Sequence, residues 1–456
     1  MAIHPIDYRY GTDEMRSVWS EENKLRRMLD VEVALARAEE ATGDVPEGVA
    51  DEIAEAAEDV TLERVNEIES EIHHDVMAMV RAVEENCDDV SDAGEYIHFG
   101  ATSNDIVDTA DALRLRESCD VLEERLRELR GALVEKADEH KRTVCAGRTH
   151  GQVGVPTTWG HRFAVWASEV DRHLDRLDGV RDRIEVGQVS GAVGTQASFV
   201  RRIDGDETGV ENAREISRRA MDELGLREEE ISTQVIARDR HAEYVGWLAN
   251  VVTTLDKVCT NVRNMQRTEI AEVEEGFGKD QVGSSTMPHK RNPVKSENVC
   301  GLARVVRGFA ETQMQNNVLW GDRDLTNSSA ERVVFTEASV LADHCVDRTT
   351  DVVEDLGFHD DGIRENLEAL DGVNMAEAVM MELARRGYGR QKGHEAVRRA
   401  AMRAHDEGLS MKESLLRDDD ITEWLDEDEL DIVLDPDGYT GTSVDRVEEV
   451  VERLSG

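Results

Sequence analysis

From Leu115 through Cys119, Leu122, Leu126, Leu129 and Leu133 to Ala137, apolar residues recur at steps of three or four. That rhythm puts them on one side of a long helix, and a stripe of such length is buried only by packing against other helices. The rhythm returns in Leu248, Val251, Leu255, Val258, Val262 and Met265. It also runs through Phe163, Trp166, Val170, Leu174, Leu177, Arg181 and Ile184, with Arg181 as an edge residue whose stem can lie along the stripe. Six prolines in 456 residues leave these helices few interruptions. The expected fold is all-α, an extended bundle in the middle of the chain with shorter helical blocks on either side and a natural face for self-association. Weak boundaries near Gly100 and Gly357 give three expected domains: N-terminal 1–104, central bundle 105–356 and C-terminal 357–456.

Asp and Glu number 99 against 54 Lys and Arg, a net charge of -45, and the excess is spread along the chain. Such a balance excludes a general nucleic-acid binder, whose affinity comes from a basic face. Lysine is scarce beside arginine, and dense carboxylates of this kind point to a very salty cytosol, where screening removes most of their mutual repulsion. Cys87, Cys119, Cys145, Cys259, Cys300 and Cys345 are scattered, with no CxxC, as expected of free buried thiols in a reducing compartment. The polar start, MAIHPIDYRYGTDEM, is unlike a signal peptide, and no stretch approaches the roughly 20 apolar residues of a membrane helix. A soluble cytoplasmic protein is expected.

Between the helices, glycine, serine, threonine and histidine concentrate in HFGATSNDIVDTA, GRTHGQVGVPTT, GQVSGAVGTQASF and GSSTMPHKRNP, each a candidate site loop held by rigid elements. In GRTHGQ, His150 stands between Gly147 and Gly151, where a substrate can approach an imidazole able to donate or accept a proton; a helix-capping histidine is the plainer alternative. His73, His74 and Asp75 are a poor metal chelate, and read either as a helix-terminus group or as substrate and catalytic partners. In FGATSND, Thr102, Ser103 and the backbone N–H groups of a helix start can hold an anion; capping by Ser103, Asn104 or Asp105 accounts for the same residues. Arg323, Ser328, Ser329 and Arg332 in LWGDRDLTNSSAER suit a phosphate, or else surface salt bridges. In GSSTMPHKRNP a serine acts as a base only if its alkoxide is strongly stabilised, for which Lys290 and a nest of N–H groups at Gly283, Ser284 and Ser285 are suited; a surface loop with a chance anion-like pattern is the alternative. Walker A, GxGxxG, GxSxG and zinc patterns are absent, and no cofactor or metal is expected.

Taken together, GSSTMPHKRNP, HFGATSNDIVDTA, GRTHGQ, VSGAVGTQA, STQVIARDRHAEY, MQRTEIAEVEE and LWGDRDLTNSSAERVVF resemble, in order and over nearly the whole chain, the fumarase, aspartase and argininosuccinate lyase superfamily. YRYG, HHDV, RDRHAEY and DRDLTNSSAER are most similar to its adenylosuccinate-cleaving branch. The resemblance implies β-elimination of fumarate from adenylosuccinate, and from the ribonucleotide SAICAR, with His150 as general acid and Ser284 as general base. It implies Lys290 and Asn292 at the developing carboxylate charge. Substrate contacts are implied at Arg9, Tyr10, His73, His74, Asp75, Thr102, Ser103, Gln234, Ser285, Arg323, Ser328 and Arg332. His73 replaces the family's usual Asn, so its role is less defined than that of His74. Arg291 and Lys295 receive only a loop-anchoring role. A homotetramer with a twenty-helix core and active sites shared between subunits is implied as well. Argininosuccinate lyase and carboxymuconate cycloisomerase are the rival members, and a non-catalytic helical scaffold is the rival of another class; intact His150, Ser284, Lys290 and Asn292 weigh against the scaffold.

Overall fold

A computed structural model describes residues 4–87, 92–201, 207–276, 286, 287 and 289–455. Five long helices dominate it: α1 (Ser103–Glu139), α2 (Trp159–Ile184), α3 (Asp239–Met265), α4 (Val294–Gln315) and α5 (Thr326–Glu354). The expected stripes are what they bury. Leu115, Cys119, Leu122, Leu126, Leu133 and Ala137 of α1 are all wholly shielded from solvent, and the stripes of α2 and α3 are buried along their length. Arg181 extends to the edge of its stripe and pairs with Asp120, Glu123 and Glu185. The fold is all-α, and among the described residues three two-stranded pairs serve as local clasps.

The chain forms two compact units, one of residues 1–125, 173–253 and 302–345, the other of 126–172, 254–301 and 346–456. Each of the five long helices contributes a segment to both. In the first unit, the Tyr244 hydroxyl of α3 lies fully buried between Ser118 of α1 at 2.7 Å and Ser339 of α5 at 2.8 Å, which satisfies a polar group that would otherwise penalise the core. A neighbouring core joins Leu29, Leu35, Ile53, Met79, Ile106, Phe199 and Ile216. There the helix Glu21–Thr42 packs on Glu207–Leu224.

In the second unit, Arg130 of α1 meets Asp171 of α2 at 2.7 Å, and Cys259 of α3 faces Thr349 of α5 at 3.8 Å. Strands β1 (Val144–Thr149) and β2 (Gln152–Thr158) pair antiparallel. A separate short pair brings Phe358 onto His140, ring centroids 3.8 Å apart, and edge-on to Trp159. The last hundred residues close around Val379, Leu383, Ala396, Met411, Leu415 and Ile421. All six cysteines are free, five buried and Cys87 half-buried. Among the described residues no helix is long and apolar enough to cross a membrane.

Candidate active site

In the first unit a cavity of about 570 Å³ opens where three helix ends converge: the N-terminus of α1, the His73–Asp75 junction and the start of α5. Its lining includes His73, His74, Asp75, Ser103, Arg323, Ser328 and Arg332, so seven of the residues singled out from sequence meet around one space.

The local sequence explains each placement. The helix Leu62–Ile72 ends on His73, which sits in the left-handed region at φ 57° and donates its N–H to Glu69 at 2.7 Å. Asparagine adopts that conformation with less strain than histidine. His74 then caps the helix Asp75–Glu84, its Nδ1 accepting from the Met77 N–H at 3.3 Å. With Nδ1 so used, the neutral ring carries its proton on Nε2 and offers a donor. Asp75 accepts from the Val76 N–H at 2.9 Å and meets Arg332 at 3.3 Å. The helix-terminus reading of this trio is therefore correct, and it places the trio on the cavity wall.

Helix α1 begins at Ser103, and the Asp105 carboxylate reaches back to the Thr102 N–H at 2.9 Å. The same carboxylate accepts from the Ser190 N–H at 2.9 Å and the Gly191 N–H at 3.0 Å, tying the helix start to the GQVSGAVG segment. Burial pushes the Asp105 carboxyl up, against the pull of these backbone donors. Ser103 and Asn104, at the positive end of the helix dipole, face the cavity.

The floor is a buried charge network. Arg238 grips Asp108 with two bonds of 2.8 and 3.0 Å, and its Nε lies 3.4 Å from Glu331; all three are buried. Glu331 also accepts from Gln313 at 2.9 Å and Asn327 at 2.8 Å. Burial alone would raise its carboxyl, but the neighbouring His241, 3.8 Å away, and the Arg238 charge outweigh that and bring it down to about 2. Asp108, Arg238 and Glu331 lie within HFGATSNDIVDTA, STQVIARDRHAEY and LWGDRDLTNSSAERVVF but are not among the residues singled out from sequence. The signal is the run Asp105, Asp108, Asp111 at i, i+3 and i+6 of α1, acids that need buried donors or cations if that side of the helix is covered.

Arg323 donates to the Gln234 side chain at 2.8 Å, while its buried Nε has no hydrogen-bond partner among the described residues. Burial lowers its guanidinium below the usual arginine range, and the Arg238 charge adds to this. A partly dehydrated cation with a vacant donor is suited to receive an anion. Gln234 thus joins the site through Arg323. Arg9 is exposed and Tyr10 rests on the His344 ring, and neither lines this cavity; Thr102 lies one residue outside it.

His150 belongs to the second unit and corrects one expectation. GRTHGQVGVPTT is a β-hairpin, with Thr149 opposite Gln152, rather than a loop between helices. His150 and Gly151 form its two-residue turn at φ 54° and 74°, the backbone of a primed turn that matches strand twist. The imidazole is exposed at the tip. Lys290 is exposed and Asn292 half-buried, both in the second unit; Ser284 and Ser285 lie outside the described residues. Arg291 pairs with Glu274 at 2.8 Å and Lys295 with Asp351 at 3.2 Å, which is the anchoring expected of them.

A lyase family model matches residues 7–308, and a model described as adenylosuccinate lyase C-terminus matches 372–450. The chain is 51% identical over 451 residues to an adenylosuccinate lyase of Archaeoglobus fulgidus, covering 99% of this chain and 98% of that one. It is 50% identical to one of Methanocaldococcus jannaschii, covering 100% and 96%. Among solved structures, a fumarate lyase from Mesorhizobium sp. BNC1 superposes with a TM-score of 0.87 at 31% identity over 97% of this chain and 98% of that one. A 3-carboxy-cis,cis-muconate lactonizing enzyme from Pseudomonas putida gives the same TM-score at 29% identity over 99% of both.

Proposed function

The chain belongs to the adenylosuccinate lyase family, and on that premise we propose a residue-level account of its reaction. The reaction is β-elimination of fumarate from adenylosuccinate, giving AMP, and from SAICAR, giving AICAR. Ser284 removes the proton from the carbon next to a succinyl carboxylate. The electron pair spreads into that carboxylate as an aci-carboxylate, whose charge Lys290 and Asn292 stabilise; fixed donors in a water-poor site do this best. The C–N bond then breaks, and His150 protonates the departing nitrogen. Each proton and electron pair is accounted for without a cofactor.

The cavity of the first unit is the nucleotide and carboxylate receptor. Its mixture of Ser103 and Ser328 hydroxyls, the His74 donor and the Arg323 and Arg332 guanidinia around a helix N-terminus is the observation that carries this reading. Arg9, Tyr10 and Thr102 complete the contacts from outside the cavity, Ser285 belongs to the GSSTMPHKRNP segment, and Gln234 acts by holding Arg323.

The working form is a homotetramer whose sites are shared between subunits. Support comes from apolar side chains left open on one chain, Trp320 at 83% and Val318 at 75% exposure, and from the exposed His150 tip. Muconate-type chemistry, present among the similar folds, is disfavoured by the full-length likeness to adenylosuccinate lyases. The deciding experiment is the ultraviolet assay of adenylosuccinate cleavage in concentrated salt. Release of AMP and fumarate is expected; turnover of argininosuccinate or a carboxymuconate instead would overturn the assignment.

A further inference from the structure

Glu272 is a carboxylate with no exposed surface, in a segment to which the reaction assigns no task. Burying a carboxylate is costly unless it is well paired, so its partners matter. Its Oε1 accepts from Arg148 at 2.5 Å, and its Oε2 lies 3.5 Å from Arg162. The backbone of Glu272 is itself fixed, donating to the Met265 carbonyl and accepting from the His359 N–H, both at 3.0 Å.

Arg148 lies on β1, two residues before His150. The register of the hairpin shifts between Ala146 and Arg148, and a bulge of this kind re-aims the strand beyond it. Both sides of the shift are held. Arg162 donates to the Ala146 carbonyl at 2.7 Å and stacks over the Trp159 ring at 4.5 Å, while Arg148 beyond the shift is held by Glu272. Gly147 lies between, where a Cβ would come within 2.5 Å of the Val155 carbonyl oxygen. The hairpin thus passes its bend between two arginines that converge on one fixed carboxylate, and its next element is the His150 turn.

We propose that Glu272 is a positioning residue for His150: by clamping Arg148 just past the bulge it sets the pitch of the hairpin, and with it the place of the imidazole. The inference rests on the reading of His150 as the general acid. Displacing a catalytic group by about 1 Å costs on the order of 100-fold in rate while leaving binding by other residues intact.

The test compares Glu272→Gln, His150→Asn and the double variant in the full-length assembled enzyme, with oligomeric state followed by sedimentation. Glu272→Gln keeps the shape and removes the charge. It is expected to lower kcat by about 30-fold or more with KM changed less than about threefold, since pitch rather than binding is lost. The double variant is expected to be no more than about threefold slower than His150→Asn alone, because the two residues act through one group. If Glu272→Gln fails to assemble, Arg148→Gln, which leaves Glu272 its contact with Arg162, decides by the same criteria. A kcat retained beside an inactive His150→Asn, or losses that multiply in the double variant, would overturn the proposal. An active His150→Asn would instead remove the acid role on which it rests.

Discussion

Arg323 donates through Nη1 to Gln234 Oε1 at 2.8 Å, joining side chains 89 residues apart in sequence, and Gln234 in turn donates to the Ala192 carbonyl at 2.7 Å. The glutamine orients the arginine without neutralising it. Gln234→Glu would place a carboxylate on that cation and compete with the substrate's own anion. Steady-state kinetics should show KM for adenylosuccinate raised about tenfold or more, with a smaller rise in Gln234→Ala; charge-assisted bonds of this kind are worth about 1.5–3 kcal/mol. An unchanged KM in Gln234→Glu would remove Arg323 from the substrate contacts.

Ser284→Ala and His150→Asn test the proposed base and acid. Asparagine is chosen at 150 because it accepts the left-handed turn. Each is expected to lower kcat by about 100-fold to 10,000-fold, the usual range for a positioned proton-transfer group, while sedimentation shows the parent oligomer. Rates near the parent's in either variant would strip that residue of its role.

The Glu331 carboxyl, brought down to about 2 in the folded state from an ordinary value near 4.5, stabilises the fold when ionised. Its contribution is complete above about pH 4.5 and is lost as pH falls towards 2; a shift of this size corresponds to about 3 kcal/mol. Denaturant unfolding of parent and Glu331→Gln should therefore differ most near neutral pH, and the gap should narrow between pH 4.5 and 2. A gap independent of pH would mean that the Arg238 and His241 contacts do not hold the charge.

The helical frame was legible because burial along α1, α2 and α3 follows a simple period, and every residue of the α1 stripe proved buried. The wall residues were legible for another reason: histidines, serines and arginines at chain breaks leave few uses other than caps and ligands. His74 proved to be a cap and a wall residue together. The hairpin was obscured by its glycines, which mask strand alternation, although His-Gly between VCAGRT and QVGVPTT is a primed-turn signal. The Asp108, Arg238 and Glu331 network was hidden because its partners are more than ninety residues apart, and no local pattern reports which charges meet in the core.

Net charge of -45 bears on assembly. Carboxylates on each subunit repel across any contact between copies, and the reach of that repulsion shortens from about 10 Å at 0.1 M salt to about 3 Å at 1 M. The proposed tetramer should hold in molar salt and dissociate on dilution. Sedimentation showing the same species at both ionic strengths would contradict the salt-adapted reading.

The turn at His150 has a consequence for how this enzyme responds to selection. A histidine held at φ 54° carries backbone strain of about 1 kcal/mol that asparagine largely avoids. Thermal survival and turnover therefore reward different residues at the same codon. A library randomised at 150 and sorted by heat resistance should drift to asparagine or glycine, and the same library sorted by fumarate release should return histidine.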